Sequence, residues 1–147
     1  MAAVYEELYA KHGYHANLNL SQGQPVAAWI GHNLKEQVAE RGVLDVGCSH
    51  GRGVQVLWEH GVKAAGVDLS STAVEMARSA RMGRPGVQCA VAEESCFQSA
   101  PATQLPFPDA AFDAIMSTDV LEHLLLHEVR PMAAEVHPTA DRTQKNS

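Results

Sequence analysis

The stretch "VLDVGCSHGRGV", Val43 to Val54, limits the fold of this chain more than any other. Val43 to Val46 read as a short buried strand, yet the strand carries an acid, Asp45. It empties into a turn holding Gly47, Gly51 and Gly53, and a helix follows. Glycine permits positive φ and lets backbone approach a ligand with no Cβ in the way. Amides at the start of the next helix point outward and carry partial positive charge. A strand, a glycine turn and a helix form one unit of a parallel sheet, and such sheets bind ligands beyond the carboxyl ends of their strands.

The flanking sequence repeats that unit. Pro25 is expected to open a helix, with Ile30, Leu34 and Val38 on one face and Gly42 as its stop. After the turn, Val54, Leu57 and Trp58 form a second helical face ended by Gly61. "VKAAGVDL" reads as the next strand, finishing at Asp68. "STAVEMARSARM" is a third helix, with Thr72 and Glu75 as a capping box and Ala73, Ala77 and Ala80 as a slim packing face. "GVQCAVA" and "SCFQSA" both fit a strand, one of them as the third strand and the other as part of a connection. "TQLPFPDAAFD" reads as a loop, "FDAIMST" as a buried strand, and "VLEHLLLHEVRPMAAEVH" as helical with a break at Pro131. Trp29 and Trp58 are expected to pack helices on the sheet, and Glu93-Glu94 to be solvated. Alternating strands and helices with short connections predict an α/β fold, an open parallel sheet with flanking helices.

The 147 residues suit one domain. The formal net charge is −6 and no Lys/Arg cluster occurs, which argues against nucleic acid as a partner. No apolar run approaches the length of a membrane span, and "MAAVYEELYAKHGYHAN" lacks the features of a secretory signal. Cys48, Cys89 and Cys96 have no metal-ligand spacing, so no metal is expected and all three read as reduced thiols of a cytoplasmic protein.

An acid at the end of the second strand, Asp68, can accept hydrogen bonds from a ribose diol. Asp45 distinguishes among adenosine-type ligands. A carboxylate beside a dinucleotide pyrophosphate repels it, whereas one beside an α-ammonium group attracts it. S-adenosylmethionine carries an adenosine, an ammonium and a sulfonium, and no phosphate. Structural alternatives stand beside these readings. Asp45 could cap the turn, Asp68 the next helix, and Cys48 could be a small buried residue. His50 reads equally as a ligand contact or as a solvent-facing turn residue.

"VLDVGCSHGRG", "GVDLS" and "LPFPDAAFDAIMSTDVLEHL" together resemble the class I S-adenosylmethionine-dependent methyltransferases, notably the type 11 group, over roughly residues 40–137. The resemblance implies a Rossmann-like sheet of order 3-2-1-4-5-7-6, of which this chain would supply strands 3-2-1-4. It implies S-adenosyl-L-methionine as cofactor, with Asp45, Gly47, Cys48 and Gly51 at the methionine portion. Asp68 would take the ribose hydroxyls, with Leu69 and Ala102 near the adenine and Ser117 under the transferred methyl. Asp119, Glu122 and His123 would line the acceptor side, with His123 either a general base or a structural histidine at a helix start.

Two departures stand out. Pro101 occupies the place of the family's adenine-contacting acid, where Thr103 or a backbone amide could substitute. The family's "R-x-L-x-P-G-G" block does not follow "MAAEVH". The expected organisation is therefore an N-terminal cover, residues 1–23, bearing Tyr5, Tyr9 and Tyr14. An incomplete cofactor-binding domain, 24–137, and a disordered tail, 138–147, would follow. The expected function is methyl transfer to a small-molecule acceptor, without nucleic acid or membrane. The rivals are a non-catalytic cofactor-binding module, pairing with another chain through an exposed strand edge, and an NAD(P)-dependent oxidoreductase.

Overall fold

The computed structural model describes residues 23–118. In chain order these form α1 (Gly23–Asn33), β1 (Val43–Val46), α2 (Arg52–Glu59), β2 (Ala64–Asp68), α3 (Ser71–Arg81), a 3-10 turn (Glu93–Ser95), β3 (Phe97–Ser99) and β4 (Ala114–Met116). The strands make one sheet in the order β3-β2-β1-β4, with every pairing parallel. This is the open α/β arrangement read from the sequence, with the strand order that the family resemblance implies. The N-terminal tyrosines, the segment after Thr118 and the tail lie outside the described residues.

β1 is central, and all four of its residues are buried. A strand covered on both faces needs a continuous apolar run, which explains why it does not alternate. Val43 pairs with Ala64 on one side and Ala114 on the other, and Asp45 with Gly66 and Met116. The helical face before β1 is buried at Ile30 and Val38. Its i to i−4 bonding persists past α1, through Leu34 N to Ile30 O and Val38 N to Leu34 O, until Gly42 at φ +80°. A side chain at Gly42 would also run into the Lys63 carbonyl. Val54, Leu57 and Trp58 are buried as expected, and the Trp58 indole donates to Ala64 O at 3.2 Å.

Several local expectations are corrected. α1 begins at Gly23, ahead of Pro25, and Trp29 is 57% exposed rather than packed on the sheet. α3 is capped by Ser70, whose extended backbone lets its hydroxyl accept from Ala73 N at 3.1 Å; Thr72 already lies inside the first turn. The buried face of α3 is Ala73, Val74 and Ala77, and Ala80 is exposed. Of the two competing segments, "SCFQSA" supplies β3, while Cys89 makes only a single bridge with Ala64. Cys89 and Cys96 are joined by a disulfide, Cα atoms 5.7 Å apart, and are not reduced thiols. The cause is topological. Cys89 bridges to Ala64, and the Cys96 sulfur lies 3.6 Å from the carbonyl oxygen of the same residue, so one point on β2 gathers both.

One polar knot ties β4 to the base of β1. The Asp113 carboxylate accepts from Arg41 N at 2.7 Å, Gly42 N at 3.2 Å and Arg41 Nε at 3.3 Å. Arg41 Nη1 also donates to Ala110 O at 2.7 Å, and Asp113 N to Gly42 O at 2.9 Å.

Candidate functional site

The carboxyl ends of β1, β2 and β4 lie side by side, because parallel pairing aligns them. Asp45 is buried at 3% exposure and reaches this end from the middle of the sheet. Gly53 faces it. A Cβ there would sit 3.0 Å from Asp45 Oδ2, 3.1 Å from Met116 Cε and 3.4 Å from the Gly23 carbonyl oxygen. Gly53 thus keeps open a point where α1, β1 and β4 meet α2. The sequence placed it in the turn, but only the fold gives it this role.

The turn is held by its backbone. Gly47 N and Cys48 N both donate to Val67 O, at 2.8 and 2.9 Å, which pins the turn to β2. Gly47 and Gly51 both adopt φ +84°, and Ser49 takes φ +54° without being glycine. A side chain at Gly51 would meet the Phe97 ring at 2.8 Å. Cys48 is 4% exposed and turned toward β2, where Gly66 makes room; a Cβ on Gly66 would lie 2.7 Å from the Cys48 sulfur. Burial, then the negative charges of Asp68 and Asp45, push this thiol well above its ordinary value. Cys48 is therefore a neutral packing group rather than a nucleophile.

Asp68 closes the other side. Its Oδ2 accepts from Ser49 N at 2.8 Å and its Oδ1 from Ser70 N at 2.9 Å. Leu69 follows, half-buried. Ser99, paired with Asp68 in the register, is an exposed hydroxyl that the sequence reading passed over; its Oγ donates to Leu69 O at 3.3 Å. Nothing in the local sequence singles it out, since its place depends on which segment becomes β3.

Ala102 is half-buried in a turn closed by Gln104 N to Pro101 O, 3.0 Å, and Pro101 itself is exposed. Ser117 is exposed, immediately after Met116, the β4 partner of Asp45. His50 is 5% exposed, with Nδ1 3.2 Å from Ser49 Oγ, which corrects the solvent-facing alternative. The structure thus assembles Asp45, Gly47, Gly51, Asp68 and Ser117 at one end of the sheet. Asp119, Glu122 and His123 fall outside the described residues.

A family model described as "Methyltransferase domain" matches residues 44–139, from inside β1 onward. The chain belongs to this methyltransferase family. An O-methyltransferase of Aspergillus sclerotiorum is 33% identical over 96 residues, 65% of this chain and 34% of that protein. A 27-O-demethylrifamycin SV methyltransferase of Amycolatopsis mediterranei is 28% identical over 99 residues, 65% of this chain and 35% of that one. The chain thus spans about a third of the length of these curated methyltransferases. Among solved structures, a magnesium protoporphyrin IX methyltransferase from Synechocystis with bound SAM superposes at a TM-score of 0.72. It is 19% identical, over 96% of this chain and 72% of that one, a likeness of fold.

Among the described residues, no helix is long and apolar enough to cross a membrane.

Proposed function

We propose that this methyltransferase-family chain binds S-adenosylmethionine at the carboxyl ends of β1, β2 and β4 and serves methyl transfer to a small-molecule acceptor. One observation carries the reading: Asp68, at the carboxyl end of β2, accepts from Ser49 N, so the acid in the ribose-binding place also fixes the glycine turn beside it. The chemistry of the site suits the cofactor. Asp45 supplies negative charge toward an ammonium, and the glycines leave a space that a Cβ at Gly53 would fill. A pyrophosphate would face two carboxylates there, which disfavours the NAD(P) reading.

The cofactor supplies an electrophilic methyl on a sulfonium, so the protein's task is alignment and exclusion of water. In this reading Asp68 takes the ribose hydroxyls, with Leu69 and Ala102 beside the adenine. The turn at Gly47, Cys48 and Gly51 lies against the methionine portion with the Asp45 carboxylate toward its ammonium, and Ser117 lies beneath the transferred methyl. Asp119, Glu122 and His123 are the candidates for the acceptor side, and residues 24–137 form the cofactor-binding unit. A small-molecule acceptor is supported by the relatives, one of which is named for demethylrifamycin SV. Self-association along β4, which has β1 as its only neighbouring strand among the described residues, belongs to the same proposal.

The test is a thermal melt of the full chain with S-adenosylhomocysteine, followed by circular dichroism. A ligand bound only by the folded state raises the midpoint. An upward shift that NAD⁺ does not reproduce supports the reading, and a cooperative transition that S-adenosylhomocysteine leaves in place sinks it. Transfer of labelled methyl to a panel of phenols and amines then separates an enzyme from a binding module.

A further inference from the structure

A second cluster lies at the opposite end of α2 from the glycine turn, one eight-residue helix or about 12 Å away. His32, in the last turn of α1, and His60, just after α2, bring their Nε2 atoms to 3.4 Å. The rings meet edge-on at 82°, with centroids 4.8 Å apart, so the nitrogens are nearer than the ring centres. We propose that His32 and His60 bind a borderline divalent transition-metal cation such as Zn²⁺ or Cu²⁺, clasping the ends of α1 and α2 together.

Three observations carry this. The first is the tautomer of His60. Its Nδ1 lies 2.8 Å from Val56 O, and a carbonyl only accepts, so Nδ1 carries the proton. The neutral ring then presents the Nε2 lone pair to His32. A backbone carbonyl that fixes the tautomer of one ring nitrogen is the usual support for a metal-binding histidine.

The second is the spacing. At 3.4 Å, the two nitrogens are farther apart than a good hydrogen bond allows. Two imidazoles each about 2.0–2.1 Å from a tetrahedral zinc place their nitrogens about 3.3–3.4 Å apart. The third is rigidity. A Cβ on Gly31 would fall 2.5 to 2.8 Å from His60 Cγ, Cβ and Cδ2, so the His60 ring seats directly on bare α1 backbone.

His32 is exposed and His60 half-buried, so a cation and its waters can enter. Among the described residues no third His, Cys, Asp or Glu completes a group of three. Water therefore fills the remaining positions. The nearby charged groups are Glu59, whose carboxylate lies 3.7 Å from Arg52, and Lys35, whose ammonium would be 3.1 Å from a Cβ on Gly61. No local pattern marks this pair, because its members stand 28 residues apart at the ends of two different helices. α1 runs from Gly23, beside Gly53 in the candidate site, to these histidines, so the clasp would hold that helix against α2.

The proposal is independent of the methyltransferase reading, and its test uses the metal alone. The full chain is titrated with ZnCl₂ at pH 7.5 by calorimetry, and Cu²⁺ is added for electron paramagnetic resonance. The expected results are a binding event that disappears in His32→Gln, a Zn²⁺-dependent rise in melting midpoint of several degrees that the variant loses, and hyperfine structure from two equivalent nitrogens. His32 is exposed, so its replacement leaves packing intact, and the resonance spectrum of the unaltered chain needs no variant. No uptake by the unaltered chain, unchanged uptake by His32→Gln, or a spectrum lacking nitrogen couplings overturns the proposal.

Discussion

Asp68 accepts from amides on both sides, Ser49 N and Ser70 N, and in the proposed function it also takes the ribose hydroxyls. Substitution can separate the roles. Asp68→Ala removes both amide acceptors and is expected to lower stability by about 2 kcal/mol, because hydrogen bonds to charged groups are worth about 1.5–3 kcal/mol and water replaces part of the loss. Asp68→Asn keeps one accepting oxygen for one of the two amides and should cost about half as much, while weakening S-adenosylhomocysteine at least tenfold, roughly 1.4 kcal/mol. Urea unfolding and calorimetry measure the two effects; equal affinity in Asn and Asp forms would refute the ribose role. Cys48 gives a pH prediction. Its folded-state value is raised, so its contribution is fully present below the ordinary thiol value and is lost as pH rises through the folded-state value. Stability should therefore fall above about pH 9 more steeply in the parent chain than in Cys48→Ala, read as the difference between their urea midpoints. Parallel slopes would show that the thiol titrates alike folded and unfolded.

Elements were legible where periodicity alone decides them, and illegible where a distant partner decides. β1 announces itself as an apolar run carrying Asp45 and β2 as one ending in Asp68, and the faces of α1 and α2 follow helical spacing. Residues 83–100 could not be divided, because both segments have strand character and only pairing with β2 chooses Phe97–Ser99. The Cys89–Cys96 link was missed for the same reason, since the seven-residue separation suggests nothing until both cysteines meet at Ala64. A denatured, unreduced chain should therefore titrate one thiol and a reduced chain three; three in both would remove the disulfide. Asp113 was read only as the lead-in to a strand. Its carboxylate joins β4 to the residues before β1 through two backbone amides and a guanidinium. Asp113→Ala is expected to cost about 2–3 kcal/mol, measured as a lower urea midpoint at unchanged slope. A loss below about 0.5 kcal/mol would show that the surrounding backbone bonds hold the junction without it.

At the scale of the whole molecule, the family resemblance implied the sheet order that the structure shows, and the parallel strands bring both acids and the glycine turn to one end. The histidine pair was not legible, since no local pattern spans two helices. The sheet also has a consequence that no single element carries. β4 is a short strand whose outer side meets no other strand among the described residues, and its Ala114 and Ile115 remain half-buried. Unpaired strand edges template pairing with another chain, and a lysine on such an edge opposes it. If β4 is the contact in self-association, sedimentation velocity should show a dimer growing with concentration, and Ala114→Lys should restore the monomer without lowering the melting midpoint by more than a few degrees. A dimer that persists in Ala114→Lys places the contact elsewhere, and a parent chain that stays monomeric at all concentrations removes the edge from consideration.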